Sequence, residues 1–361
     1  MFFLFAFNAL VYFPYIILIF IFEIFRNGLK INNLIIFSTF LIFLVYLGGI
    51  LNSNSKIDNI EYVSIIVLVS NLIFSSFALK YPEALPGALK YFIFGIILNA
   101  FPSIISSYQS GNKIMYGNLY TLWGGMPIYT SHLSAYLSIG FAILLIQFNF
   151  RNTFKIGYLI LILILILMGL FVGSRSFFIL TFFIIVYQKL FLKNTLPSAT
   201  VIIFLFLIFL FLLPENISFI INRFSEFSSS NSQDHASRLS LWISSLDAIP
   251  NYPIGGFDAI LGTDFPATHN IILDSFRISG WISGITSILY ILFTIGILVK
   301  YFKRVSSRVI ILISILLLYF LMIESIYGGL YKILILYNAC IVFLIRINKI
   351  YIINYDITYN K

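Results

Sequence analysis

Residues 156–191 read IGYLILILILILMGLFVGSRSFFILTFFIIVYQKLF. Two apolar runs flank a Gly-Ser-Arg-Ser turn that carries Arg175. A helix crosses the hydrocarbon layer of a bilayer with about 20 mostly apolar residues. In lipid, only helices and closed barrels satisfy every backbone polar group. The stretch therefore predicts two membrane helices, at 156–173 and 177–192, joined by a tight turn.

The same reading extends along the chain. Of its 361 residues, 60% are hydrophobic and 10% charged, where a soluble domain carries about 25% charged residues. Further apolar runs occupy 2–25, 33–51, 60–79, 86–106, 129–148, 198–213, 281–299, 309–326 and 330–346, about eleven spans in total. Pro14 and Pro102 fall inside two of them, which membrane helices tolerate when neighbours satisfy the freed carbonyl. The N-terminal MFFLFAFNALVYF has no basic leader and reads as the first span rather than a cleaved signal. The expected fold is an all-α polytopic membrane protein of about 11 (10–12) helices, with 1–361 as a single integral membrane domain and no internal repeat.

The formal net charge of +9 is explained by topology rather than by nucleic-acid binding. With the N-terminus outside, 15 of the 22 Lys and Arg residues fall on inward segments, including KYFKRVSSR at 300–308. That is the asymmetry of the positive-inside rule. The single cysteine, Cys340, lies in an apolar run and cannot form an intrachain disulfide, so it reads as a small buried hydrophobe.

Two outward segments are long. Residues 107–128 are polar and contain glycine, and 214–280 form the largest stretch outside the membrane. Within the second, 235–249 reads as an amphipathic helix, with Asp234 as N-cap and Pro250 as its stop. Its apolar stripe is Ala236, Leu239, Trp242, Ile243, Leu246 and Ile249. The loop NYPIGGFDAILGTDFPATHN follows, then a polar knot at the start of a long apolar run, THNIILDSFRISGWISG at 268–284.

Polar side chains at the outer membrane edge are the candidates for chemistry. Arg175 either snorkels to the interface or seats an anion, with Ser174 and Ser176 offering hydroxyl donors beside it. Arg238 is one turn before Trp242, so its guanidinium can stack on the indole. It reads either as a solvated surface residue or as a rigid fork for phosphate oxygens. Arg223 has Glu226 three residues on and reads as its ion-pair partner.

His269 follows a flexible loop and precedes a helix start; an imidazole there suits a general base. Asn270 beside it could orient the ring or a substrate hydroxyl. His132 reads as a helix–helix hydrogen bond and His235 as solvent-exposed. On a continuous helix Leu273, Arg277, Gly280 and Gly284 share one stripe, and Gly280 to Gly284 is a small-xxx-small pattern for close helix approach. Arg277 then points inward, either neutralised by Asp274 or acting as a third cation in a polar site. No His, Cys and carboxylate cluster has metal-ligand spacing, and no Walker-type loop occurs. The expected chemistry is metal-independent, cofactor-free and on the outer side.

In order, these features are Ser-Arg-Ser between mid-chain spans, Arg-x-x-x-Trp in a long outward loop, Pro-x-Gly-Gly-Phe, and His-Asn-x-x-Leu with a downstream Gly-x-x-x-Gly. This order resembles the O-antigen polymerase/ligase superfamily over roughly residues 170–285. The resemblance implies a C-type glycosyltransferase fold in a bacterial inner (plasma) membrane, with the active site facing the periplasm and 214–280 as its large periplasmic loop. It implies a donor and acceptor carrying glycans on polyprenyl pyrophosphate, contact with membrane lipids and a chain-length regulator protein as partner.

Arg175 and Arg238 match the pyrophosphate-holding arginines of that family, and His269 matches its proposed base. Arg277, Asn270, Ser174 and Ser176 are further candidates. Family members often carry an asparagine-rich segment where this chain reads PIYTSHLSAYL, and they usually have about twelve spans. A repeat-unit polymerase is the expected activity. A ligase moving the glycan to lipid A–core is the alternative within the family. A flippase is the alternative from another class, though it would place charges along a path at the bilayer midplane.

Overall fold

The computed structural model describes residues 9–27, 31–51, 60–81, 84–109, 118–120, 127–150, 156–172, 175–191, 233–256, 268, 270–302, 308–323 and 331–359. Helices dominate. In chain order they are α1 (Ala9–Asn27), α2 (Asn33–Leu51), α3 (Ile60–Lys80), α4 (Leu85–Gln109), α5 (Thr130–Phe150), α6 (Ile156–Val172), α7 (Arg175–Phe191), α8 (Gln233–Ala248), α9 (Ile271–Tyr301), α10 (Arg308–Ile323) and α11 (Tyr331–Tyr359). Pro14 and Pro102 lie inside α1 and α4. Each expected span overlaps one of these helices except 198–213, which lies outside the described residues; α9 starts ten residues before the expected 281 and α11 runs thirteen past the expected 346. Two helical segments, Tyr62–Lys80 and Ile271–Tyr301, are long and apolar enough to cross a membrane by length and composition.

One element has no counterpart in the sequence reading. Asn118–Tyr120 (β1) pairs antiparallel with Pro127–Tyr129 (β2), Leu119 opposite Ile128. The pairing makes part of the 107–128 segment a short hairpin leading into α5.

Contacts divide the chain into two compact units. One comprises α4 to α7 with the hairpin. In it α5 packs against α6 and α7. Gly140 lies where α4 and α6 meet α5: a Cβ there would stand 3.3 Å from both Ile93 and Leu165. A Cβ on Gly169 would run into the Phe177 ring, so α6 and α7 meet closely at that point.

The other unit comprises α1 to α3 and α8 to α11. Its centre is the packing of α9 on α2 and of α11 on α3. Phe37 meets Phe293 edge to face at 5.4 Å, and Ser283 donates to the Leu44 carbonyl at 2.8 Å. Many outward-facing side chains of this unit are large and apolar, among them Phe25, Tyr62, Ile282, Leu292 and Val299. An apolar exterior over a packed interior suits a helix bundle whose solvent is lipid.

Polar groups are not confined to the edge of this bundle. The Asn338 amide nitrogen on α11 lies within hydrogen-bond distance of Asn71 Oδ1 (2.8 Å), Ser75 Oγ (3.1 Å) and Ser38 Oγ (3.2 Å). Tyr290 of α9 donates to Asn338 Oδ1 at 3.3 Å, and Asn71 donates to Thr39 Oγ1 at 2.8 Å. Four helices are thus joined at one buried, uncharged knot. Cys340, two residues after Asn338 on α11, is buried and free.

Candidate functional site

Helix α9 is not continuous. Gly280 has φ 71° and ψ −160°, which breaks the helical path between Ser279 and Trp281. In an unbroken helix the Trp281 N–H would donate to the Arg277 carbonyl. Here the Arg277 carbonyl accepts from Gly256 N–H at 2.7 Å, and Trp281 N–H donates to the Pro253 carbonyl at 2.9 Å. The Pro253–Gly256 loop thus splices its own backbone into the gap and satisfies both freed groups. Trp281 Nε1 adds a bond to the Ile249 carbonyl at 2.9 Å.

Glycine is required at both contact points. Gly255 has φ +85°, and a Cβ on it would stand 2.6 Å from Gly280 N. A Cβ on Gly280 would collide with the Pro253 carbonyl. Gly284 is met by the Phe276 ring. The two glycines of the small-xxx-small segment thus receive a loop and a ring, while Ser283 between them reaches the α2 backbone at the Leu44 carbonyl. The shared stripe holds in part: Leu273, Arg277, Gly280 and Gly284 are all buried, although the helix carrying them is broken.

The first segment of α9 is anchored from three directions. Asn270 is its N-cap, accepting from Ile272 N at 2.9 Å and Leu273 N at 3.2 Å. Its amide nitrogen donates to the Met322 carbonyl on α10 at 3.1 Å. Both ends of the Asn270 side chain are thereby used in fixing the helix start. Thr268 N and Thr268 Oγ1 both donate to Asp274 Oδ1, at 3.0 and 2.9 Å. Trp242 of α8 reaches across with Nε1 to the Thr268 carbonyl at 2.8 Å. The residues on both sides of His269 are held in this way; His269 itself lies outside the described residues.

Arg277 completes the cluster. Its Nε donates to Asp274 Oδ1 at 3.1 Å, and both residues are buried. Of the two openings the sequence left for Arg277, partnership with Asp274 is present. Asp274 Oδ2 is buried with no hydrogen-bond partner among the described residues.

The other candidates are placed less fully. Arg175 is the first residue of α7 and Ser176 the second. Helix α6 ends at Val172 and α7 begins at Arg175, and Ser174 lies outside the described residues. The side chains of Arg175 and Ser176 are likewise outside them. Arg175 therefore stands at a helix start, where free N–H groups and the helix dipole already favour an anion.

Arg238 lies on α8, with its side chain outside the described residues. Helix α8 begins at Gln233, so Asp234 is inside the first turn rather than at the cap. The expected apolar stripe of α8 is also redirected. Ile243 and Leu246 are 52% and 56% exposed, while Leu241 and Ser245 are buried.

Sequence reasoning missed the Trp242–Thr268 and Thr268–Asp274 bonds. It had weighed Trp242 only against Arg238, and Asp274 only against Arg277. The three-residue separation of Asp274 from Arg277 signalled one bond; nothing local signalled the others. No protein-family model matches the chain, and comparison with curated proteins finds no match.

Proposed function

We propose that the protein is an integral membrane glycosyltransferase that joins polyprenyl-pyrophosphate-linked oligosaccharide repeat units on the periplasmic face, a surface-polysaccharide polymerase. The observation that carries the reading is the anchored start of α9. Three separate elements pin the residues flanking His269, and a buried arginine follows within two turns. Rigid support of that kind is what a catalytic group on a loop requires.

In this reading a sugar hydroxyl of the acceptor attacks the anomeric carbon of the donor glycan. The bond from that carbon to the pyrophosphate oxygen breaks, and polyprenyl pyrophosphate leaves. His269 takes the hydroxyl proton. Arg175 and Arg238 hold the pyrophosphate, whose negative charge grows as the bond breaks. Ser174 and Ser176 add hydroxyl donors beside Arg175. Two apolar helices of spanning length and the lipid-suited exterior support membrane residence. The buried Asn338 knot is uncharged and its members bond one another. It therefore serves helix packing better than a transport path.

Deletion followed by gel separation of the surface glycan tests the activity. A polymerase deletion leaves a single repeat attached. Loss of all attached glycan would instead indicate a ligase, and an unchanged ladder would overturn the glycosyltransferase reading.

A further inference from the structure

Arg277 is 6% exposed and Asp274 is fully buried. A carboxylate and a guanidinium placed together only to neutralise each other favour the two-point fork, with both oxygens facing two N–H groups. This pair does not use it. Asp274 spends Oδ1 on three donors, Thr268 N, Thr268 Oγ1 and Arg277 Nε, and its Oδ2 stays unbonded among the described residues.

The contact on Arg277 is side-on, at Nε. A guanidinium has five N–H donors, so the four on its terminal nitrogens remain. None has a hydrogen-bond partner among the described residues. The residual exposure of this ion pair belongs to Arg277, whose side chain is 8% exposed against 0% for Asp274.

The backbone beneath Arg277 is fixed as well. Its carbonyl is held by Gly256 N–H, and the break at Gly280 follows three residues later. The guanidinium is thus oriented by a carboxylate and a spliced loop, with its outer edge uncommitted among the described residues.

We propose that Arg277 is a binding residue for a phosphoryl oxyanion, with Asp274 as its positioning residue. In the reading above, on which this inference rests, that oxyanion belongs to the diphosphate of the lipid-linked glycan. A planar fork held in one orientation takes two phosphate oxygens at once, which a lysine cannot do. An anionic phospholipid headgroup offers the same chemistry, and the test separates the two sources.

The full chain is placed in phosphatidylcholine nanodiscs and titrated with geranylgeranyl diphosphate, and separately with phosphatidylglycerol. Arg277→Gln alone would strand a buried carboxylate, so the informative variant is Asp274→Asn with Arg277→Gln. It removes both charges and keeps an acceptor for Thr268. Thermal unfolding confirms that it folds.

The double variant is expected to bind geranylgeranyl diphosphate about ten- to hundred-fold more weakly than the parent. Arg277→Lys is expected to fall between the two. Equal affinity of parent and double variant overturns the assignment of Arg277 while leaving the diphosphate reading intact. If the parent binds only phosphatidylglycerol, and the double variant loses that binding, Arg277 stands as an oxyanion ligand and the diphosphate reading fails. A parent that binds neither probe overturns both.

Discussion

The backbone N–H of Trp281 lies 2.9 Å from the carbonyl oxygen of Pro253. That bond replaces one that an uninterrupted helix would have made internally. A loop 28 residues upstream has become part of the backbone ladder of α9. The consequence is local rigidity where a broken helix would otherwise leave polar backbone groups unsatisfied in an apolar setting.

Substitution at the splice is therefore expected to be damaging out of proportion to the atoms added. Gly280→Ala places a Cβ against the Pro253 carbonyl at a positive φ, and Gly255→Ala meets the Gly280 backbone. Each is expected to cost about 1–3 kcal/mol from backbone strain, with steric displacement adding to it. Gly296→Ala is the control, since nothing lies within 4 Å of its Cβ position. Thermal unfolding in detergent compares the three. A Gly280→Ala melting temperature equal to that of Gly296→Ala would refute the splice.

Trp242→Phe keeps a ring in place and removes only the donor to the Thr268 carbonyl. The cost in global stability is expected to be about 1 kcal/mol. Its effect should concentrate in amide hydrogen exchange at 270–276, with α11 unchanged. Uniform acceleration across the chain, or none at 270–276, would show that α8 does not anchor this segment.

Asn338→Leu removes the centre of the buried knot joining α2, α3, α9 and α11. Interhelical hydrogen bonds in membrane proteins contribute about 0.6 kcal/mol each, and up to about 1.7. Several are lost together, so a destabilisation of about 1–3 kcal/mol is expected. Reversible unfolding in mixed micelles measures it. A change within error would mean that leucine packing replaces the knot at no net cost.

Arg175→Ala, Arg238→Ala and His269→Ala are each expected to abolish chain extension, while membrane fractionation still recovers the protein. Arg238→Lys should not restore long chains, because a point charge does not reproduce a planar fork. The glycan ladder on a gel reads all four variants, and full polymer from Arg175→Ala would sink the pyrophosphate assignment.

Orientation is open to a direct chemical check. Cys340 is the single cysteine and is buried, so Cys340→Ala gives a clean background. An impermeant maleimide is expected to label Lys113→Cys in intact cells, and Lys303→Cys only after permeabilisation. The reverse pattern would put the candidate site on the cytoplasmic side.

Much of the helical framework was legible because it is set by local composition. A run such as 159–172 has nothing but apolar side chains and backbone to satisfy, and a helix satisfies both within the segment. The ends of α9 were less legible. Its apolar run suggested 281–299, yet the helix begins at Ile271 because Asn270 caps it and Asp274 and Arg277 are buried as a pair. The sequence turned Arg277 inward with Asp274 as a neutralising partner, but its apolar run set the helix start only at 281.

Similarly, the stripe on α8 was read from periodicity, but periodicity does not say which face meets protein. The buried positions are Leu241 and Ser245, with Ile243 and Leu246 facing outward.

By itself, then, the sequence determined that this chain is helical, apolar to the degree a membrane asks, and marked at a few places by arginine and histidine. The tertiary structure decided how the marked places are supported. It set Pro253 and Gly256 into the gap at Gly280, tied Trp242 to Thr268, and turned Arg277 side-on to Asp274. The reason is range. Hydrophobic runs and turns act between near neighbours, whereas each of these bonds depends on what another segment places alongside, or on which way a side chain is turned once its helix is buried.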